Sequence, residues 1–237
     1  MLSQTREQLR LCSQCPHGWL SPLGQLGEEA QQTLARARQT VLFAPGTPIV
    51  RAGEPVTQLY CIASGTAKAV LSVGDDGEEL LVALHKPGDL LGLRDLFGER
   101  RHSVSVIALE ELRACLFPAE LVERFAREHL SFWVRVVQLL AREIEAIEEQ
   151  FLLFQRRSVR ERVIHFLLLL FRTYGADEEG SLRFPATPSS IAELLRTSIS
   201  AVRRTLSVLE RRNLIRCADN RIRLLDPEAL SQLLRNT

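Results

Sequence analysis

Residues 187–216 constrain this chain more than any other stretch. Thr187 stands where it can cap a helix, and Pro188 follows at the first helical position, where a missing N–H costs nothing. Ile191, Leu194 and Leu195 then make one apolar face. After a turn at Arg196-Thr197, Ser198 can cap a second helix in which Val202, Leu206 and Leu209 recur at helical spacing and face the first. The pattern predicts a helix-turn-helix. It leaves Ile199, Ser200, Arg203 and Arg204 on the outer face, beside the cap Ser198. A helix that presents arginine and short polar groups from its first turns can enter a DNA major groove, where arginine donates two hydrogen bonds to guanine N7 and O6. The plainer alternative is an αα-hairpin whose arginines form a solvated face. Downstream, Leu214-Ile215-Arg216 and Arg221-Ile222-Arg223-Leu224-Leu225 flank a polar turn at Asp219-Asn220. That pattern predicts a β-hairpin wing carrying three arginines, of which Arg221 is a candidate DNA contact.

Charge is divided along the chain in a way that the net value of +1 hides. Residues 1–155 carry 15 Lys plus Arg against 20 Asp plus Glu, net −5, and residues 156–237 carry 15 against 9, net +6. A basic footprint for phosphate therefore lies in the C-terminal third, and the acidic remainder suits a sensor. The longest apolar run, Val163 to Phe171, contains His165 and is too short to span a bilayer. With a polar N-terminus, this leads to the expectation of a cytoplasmic protein with no membrane partner. Five cysteines in a reducing compartment read as ligands, redox thiols or small core residues rather than a disulfide framework.

Residues 1–22 hold Cys12-Ser13-Gln14-Cys15-Pro16-His17, a CxxC whose two thiolates can reach one metal ion or cluster, with His17 as a further donor. A tail with incidental cysteines is the alternative. Between residues 41 and 118 the texture becomes short apolar runs separated by glycines. Strands are predicted over 41–43, 47–50, 58–62, 67–73, 79–84, 90–93, 103–108 and 112–117, making a small antiparallel roll. From Glu120 the period becomes helical. Trp133, Val137, Leu140, Ile144, Ile147, Phe151 and Phe154 alternate at spacings of four and three, a heptad seam without polar interruption. Such a seam pairs with its symmetry mate or packs against its own roll; the dimer is the expectation. Residues 156–160 form a basic break, read as a hinge, before an apolar helix from Val163 to Tyr174. The expected organisation is a cysteine segment over 1–22, a roll over 23–130, a dimer helix and hinge over 131–157, and a winged helix-turn-helix over 158–237.

That order resembles the CRP/FNR family of bacterial transcription regulators over essentially the whole chain. The resemblance is carried by Leu59-Tyr60-Cys61-Ile62-Ala63-Ser64-Gly65-Thr66, by Pro87-Gly88-Asp89-Leu90-Leu91-Gly92 and by Ile191 to Leu214. It implies an α+β fold, with an N-terminal antiparallel β-roll of the cyclic-nucleotide-binding kind, a long dimerisation helix and a C-terminal winged helix-turn-helix. Members that bind cyclic nucleotide carry Glu after the last glycine of the Gly-Asp-Leu-x-Gly stretch, and an Arg-Ser or Arg-Thr pair further on. Here Leu93 and His102-Ser103 stand there, with Arg100 and Arg101 out of register, so cyclic AMP is not the expected effector.

Resemblance to the oxygen-sensing FNR branch places Cys12, Cys15 and Cys115 at three of its four cluster-ligand positions, while Ser21 occupies the position of the remaining cysteine. It implies an iron–sulfur cluster on Cys12, Cys15 and Cys115 with a non-cysteine fourth ligand from His17, Ser21 or a carboxylate. Zinc, thiol chemistry, haem on His85, His102 or a cysteine, and a regulator without cofactor are the alternatives. Cys61 reads as a small core residue, and Cys217 has no partner visible in the sequence. In the recognition helix Arg204 matches the family's arginine, Ser200 stands in place of its glutamate, Arg203 replaces a small residue, and Arg196 replaces the customary turn glycine. The resemblance further implies an inverted-repeat operator, a homodimer and contact with RNA polymerase. No nucleophile-and-base constellation or phosphate-binding glycine loop points to an enzyme. A small-molecule-binding regulatory subunit acting on a protein partner would not need the C-terminal module.

Overall fold

The computed structural model describes residues 11–73, 78–154, 158–184, 186–218 and 221–235, and divides them into two compact units, Met1–Ile144 and Glu145–Thr237. Three short 3-10 helices, Cys12–Gln14, Gly18–Leu20 and Pro22–Gln25, lead into helix α1 (Glu28–Ala37). Eight strands follow: β1 (Gln39–Phe43), β2 (Pro48–Val50), β3 (Gln58–Ser64), β4 (Ala67–Val73), β5 (Glu78–His85), β6 (Leu90–Leu91), β7 (Ser105–Ala108) and β8 (Leu112–Pro118). They form two four-stranded antiparallel sheets, in the orders β1-β8-β3-β6 and β2-β7-β4-β5. Val41, Phe43, Ile49, Ile62, Ala69, Val106 and Ala114 fill the space between the sheets. The fold class is thus the expected α+β roll.

The sixth predicted strand is shorter than its apolar run. Gly92 takes a left-handed conformation, with φ of 86°, and turns the chain into helix α2 (Leu93–Phe97). The predicted helical stretch from Glu120 is also two helices, α3 (Ala119–Glu128) and α4 (Leu130–Phe154), because His129 between them is extended.

A second core lies outside the roll. Leu23 and Leu26 of the N-terminal segment, Ala30 and Leu34 of α1, Leu59 of β3, Phe117 of β8, Val122 and Phe125 of α3 and Phe132 and Val136 of α4 make one cluster. The N-terminal segment is therefore built into this unit, on the outer face of the β1-β8-β3-β6 sheet. Arg135 of α4 also donates to the Leu20 carbonyl at 3.4 Å.

In the second unit, Ser158 and Glu161 form a capping box that opens α5 (Val159–Tyr174), whose Val163, Ile164, Phe166, Leu167 and Leu170 are buried. Helices α6 (Pro188–Leu194) and α7 (Ile199–Arg211), strands β9 (Ile215–Ala218) and β10 (Arg221–Leu224), and α8 (Pro227–Arg235) complete it. Helix α5 packs on α7 and α8. The predicted wing turn Asp219-Asn220, residues 156–157 of the predicted hinge and the side chains of Ile147, Phe151 and Phe154 lie outside the described residues. Among the described residues no helix is long and apolar enough to cross a membrane.

The turn between α6 and α7 has an unusual occupant. The Thr197 N–H donates to the Ala192 carbonyl at 2.9 Å and the Arg196 N–H to the Glu193 carbonyl at 3.1 Å, the two bonds of a Schellman motif. Its left-handed position, with φ of 51°, is held by Arg196. The same motif ends α7 with Asn213 at φ of 54°, a residue that tolerates this region better. An Arg196→Gly substitution relieves about 1–2 kcal/mol of left-handed strain against about 0.5–1 kcal/mol of added chain entropy. It should raise the stability of the second unit by up to about 1 kcal/mol, measured by urea titration followed by amide exchange in α6 and α7.

Candidate functional site

The recognition surface forms as the local sequence dictates. Thr187 caps α6 by accepting from the Ser190 N–H at 3.1 Å, with Pro188 at the first position. Ser198 caps α7 by accepting from the Ala201 N–H at 3.2 Å, and its hydroxyl lies 3.1 Å from that of Ser200. Val202, Leu206 and Leu209 are buried. Ser198, Ile199, Ser200, Arg203 and Arg204 are exposed together on the first two turns of α7. Arg162 of α5 donates to the Leu195 carbonyl at 3.2 Å and so supports the turn from behind.

In the wing, Arg223 stands opposite Arg216 in the β9–β10 ladder. The three wing arginines differ. Arg216 is exposed, Arg223 is half-buried against Gly180, and Arg221 is ion-paired with Asp177 at 2.7 Å. The Arg221–Asp177 pair, 44 residues apart in the chain, had no local signal in the sequence.

The cysteines form the second constellation. Cys12 and Cys15 bracket a 3-10 turn closed by the Cys15 N–H donating to the Cys12 carbonyl at 3.2 Å, and the Gly18 N–H then donates to the Cys15 carbonyl at 2.9 Å. Gly18 is required there, because a Cβ would fall 1.8 Å from the Cys12 carbonyl oxygen. The segment lies on the loop between β5 and β6, where a Cβ on Gly88 would come within 2.7 Å of the Leu20 side chain. Gln31 of α1, which sequence reasoning passed over, holds the segment to the helix. Only 2% exposed, it donates to the Leu23 carbonyl at 2.7 Å and accepts from the Ser13 N–H at 3.2 Å.

Cys12 packs against the outer core together with Cys61 of β3 and Cys115 of β8. Cys61 and Cys115 are direct partners in the β3–β8 ladder. Burial pushes the Cys12 thiol up to about 11, negative charge at Cys115 and Cys15 adds to the rise, and the Arg38 guanidinium opposes it. Burial raises Cys61 further still, again with contributions from Cys115, Cys12 and Cys15. Thiols of this kind are weak nucleophiles at neutral pH, and they become thiolates on giving up their protons to a bound metal.

The soft, all-sulfur donor set fits an iron–sulfur cluster, and the nearby arginine offsets part of its negative charge. Among the described residues no three Cys, His, Asp or Glu side chains are gathered as ligands of one metal ion. Cluster thiolates bind separate irons, so they need not converge on one point. Ser21 is buried and caps the Pro22–Gln25 turn by accepting from the Leu23 N–H at 3.3 Å; His17 packs its Cβ near Gly88.

The roll positions tied by resemblance to cyclic nucleotide are occupied by an internal network. His102 is buried with Nδ1 3.5 Å from Asp95, and Ser103 donates to Asp95 at 2.8 Å while accepting from Arg94. Arg100 is ion-paired with Glu123, and Arg101 donates to the Gly53 carbonyl at 2.7 Å. His85 lies 3.3 Å from Asp89.

A β-roll joined in one chain to a winged helix-turn-helix is the domain pair of a DNA-binding transcription regulator. The model of the cyclic nucleotide-binding domain matches residues 40–129, and that of the Crp-like helix-turn-helix domain matches residues 161–233. The chain is 28% identical to the transcriptional activatory protein AadR of Rhodopseudomonas palustris, over 97% of this chain and 95% of that protein. It is also 28% identical to the transcriptional activator Anr of Pseudomonas protegens, over 79% of this chain and 77% of that one. The solved structure of FixK2 from Bradyrhizobium japonicum superposes with a TM-score of 0.73 at 23% identity, covering 83% of this chain and 96% of that one. The chain thus carries the two domains of a DNA-binding transcription regulator of the CRP/FNR type.

Replacing Gln31 with leucine leaves the buried Leu23 carbonyl without this partner, at a cost of about 1–3 kcal/mol, and releases the N–H of the exposed Ser13 to water. Amide exchange over residues 11–25 should accelerate markedly while exchange in β3 and β8 stays near wild type, as read by mass spectrometry of the exchanged protein.

Proposed function

We propose that this protein is a homodimeric regulator in which an oxygen- or nitric-oxide-labile iron–sulfur cluster on the cysteine segment controls binding to an inverted-repeat operator. The carrying observation is the outer core, which packs the cysteine segment, the β3–β8 face and the start of α4 against one another. When bound, the cluster supplies a redox-labile cross-link between the segment and the roll, with Cys12, Cys15 and Cys115 among its ligands. Without that link the segment is held by Gln31 and by the apolar contacts of Leu23 and Leu26, so its hold on α4 weakens. The relatives named anaerobic regulatory protein in Pasteurella multocida and Haemophilus influenzae support an oxygen-linked role.

In this reading residues 23–130 sense, residues 131–157 pair two copies, and residues 158–237 read DNA. Helix α4 exposes Leu130, Trp133, Val134, Val137 and Ile144, an apolar stripe that a second copy would cover. Two of these, Leu130 and Val134, widen the predicted seam, and Leu140 turns partly inward to the core. Trp133 is also tied inward, donating to the Ala126 carbonyl at 2.6 Å and lying tilted against the Phe97 ring, with centroids 4.6 Å apart. On DNA, Arg203 and Arg204 contact guanine or phosphate, Ile199 meets a thymine methyl, and Ser198 and Ser200 contact backbone or base edges. Arg221 reaches phosphate by exchanging Asp177. The acidic Asp95 beside His102 and Ser103 opposes a cyclic phosphate there. RNA polymerase is the expected further partner, and the cytoplasm the expected location.

Protein purified without oxygen should contain iron and acid-labile sulfide, show a broad visible absorbance that bleaches in air, and lose operator affinity as it bleaches. Colourless, metal-free protein from iron-sufficient cells would overturn the cluster reading. The Val137→Glu variant should sediment as a monomer at micromolar concentration where the wild type sediments as a dimer, because it places a charge in the centre of the apolar stripe.

A further inference from the structure

Cys61 stands in the wrong place for an isolated core thiol. Direct partners in an antiparallel ladder project to the same face with Cβ atoms about 4.5–5.5 Å apart. Cys61 and Cys115 are such partners, and so are Leu59 and Phe117 two residues along. Leu59 and Phe117 belong to the outer core, so the Cys61 and Cys115 side chains share the face covered by the N-terminal segment. Cys12 packs against that same core, and the Gly18 turn holds Cys15 beside it. Cys12 of the segment and Cys61 and Cys115 of adjacent strands thus share one core, with Cys15 one 3-10 turn from Cys12. The hydroxyl of Ser21, meanwhile, is occupied as a helix cap.

We propose that Cys61 is the fourth ligand of the cluster, so that the site is a complete four-thiolate set of Cys12, Cys15, Cys61 and Cys115. This rests on the cluster reading above. A serine at position 21 is then compatible with full cysteine ligation, because the missing thiolate comes from the sheet instead of the segment. Two ligands on paired strands form a rigid base, and the two on the segment form the part that departs when the cluster is lost.

The test is iron and sulfide content, absorbance and electron paramagnetic resonance of the reduced protein for the wild type, Cys61→Ala, Cys61→Ser and Ser21→Ala, all full-length and purified without oxygen. Loss of an outer-shell support costs about 10–100-fold in metal affinity, so loss of a ligand should cut iron and sulfide in Cys61→Ala about tenfold or more. Cys61→Ser, which preserves the volume and offers an oxygen donor, should either lose the cluster or shift its resonance spectrum. Ser21→Ala should keep the wild-type content and spectrum. Equal melting of the cofactor-free forms shows that the variants fold. Wild-type iron, sulfide and spectra in both Cys61 variants would overturn the assignment while leaving the cluster reading intact. A wild-type protein without iron or sulfide would overturn both.

Discussion

The outer apolar core is the interaction on which the rest of this structure depends. Most rolls bury one interior; here the β1-β8-β3-β6 sheet is apolar on its outer face as well, through Leu59 and Phe117. Exposing that face to water would cost about 25 cal/mol for each Å² uncovered, so the N-terminal segment, α1, α3 and the start of α4 must cover it. Because one core holds all of them, a change in how the segment sits alters the packing available to Phe132 and Val136 at the start of α4. Shared burial, together with the Arg135–Leu20 hydrogen bond, joins the segment to α4.

Cys12, Cys61 and Cys115 sit where this core meets the sheet. Burial raises the thiols of Cys12 and Cys61, which disfavours their thiolate forms at neutral pH, and the Arg38 guanidinium opposes the rise at Cys12. Gly18 and Gly88 allow the close approach: one lets the CxxC turn fold onto its own backbone, the other lets Leu20 lie on the loop between β5 and β6. The effector positions of a cyclic-nucleotide-binding roll carry a different network, with Asp95 accepting from Ser103 and facing His102. The roll therefore keeps the family's architecture with altered chemistry at the position of its usual ligand.

The DNA-reading unit shows the opposite balance, with local sequence determining nearly everything. Caps at Thr187, Ser158 and Ser198 use hydrogen bonds three residues away, and the apolar spacing of α7 decides which side faces inward. The arginines at 203 and 204 are exposed for the same reason that Val202 and Leu206 are buried. Arg196 departs from the family's glycine without changing the turn type: the Schellman bonds form, with the strain carried by one residue.

By itself the sequence determined the order of elements, the eight strands, the helix-turn-helix with its caps and the residues of its outer face, because each follows from periodicity or from bonds spanning a few residues. It also marked Cys12, Cys15 and Cys115 by resemblance. Helix α1 and the break at His129 escaped it, since a short polar helix and a one-residue interruption leave little periodic signal. Only tertiary structure decided that Cys61 faces Cys115, that Gln31 clasps the cysteine segment, that Arg221 pairs with Asp177, and that Leu130 and Val134 are exposed. These are contacts between distant residues or consequences of which helix face is already covered. Strand register sets them, and a slip of one residue would send every side chain to the other face.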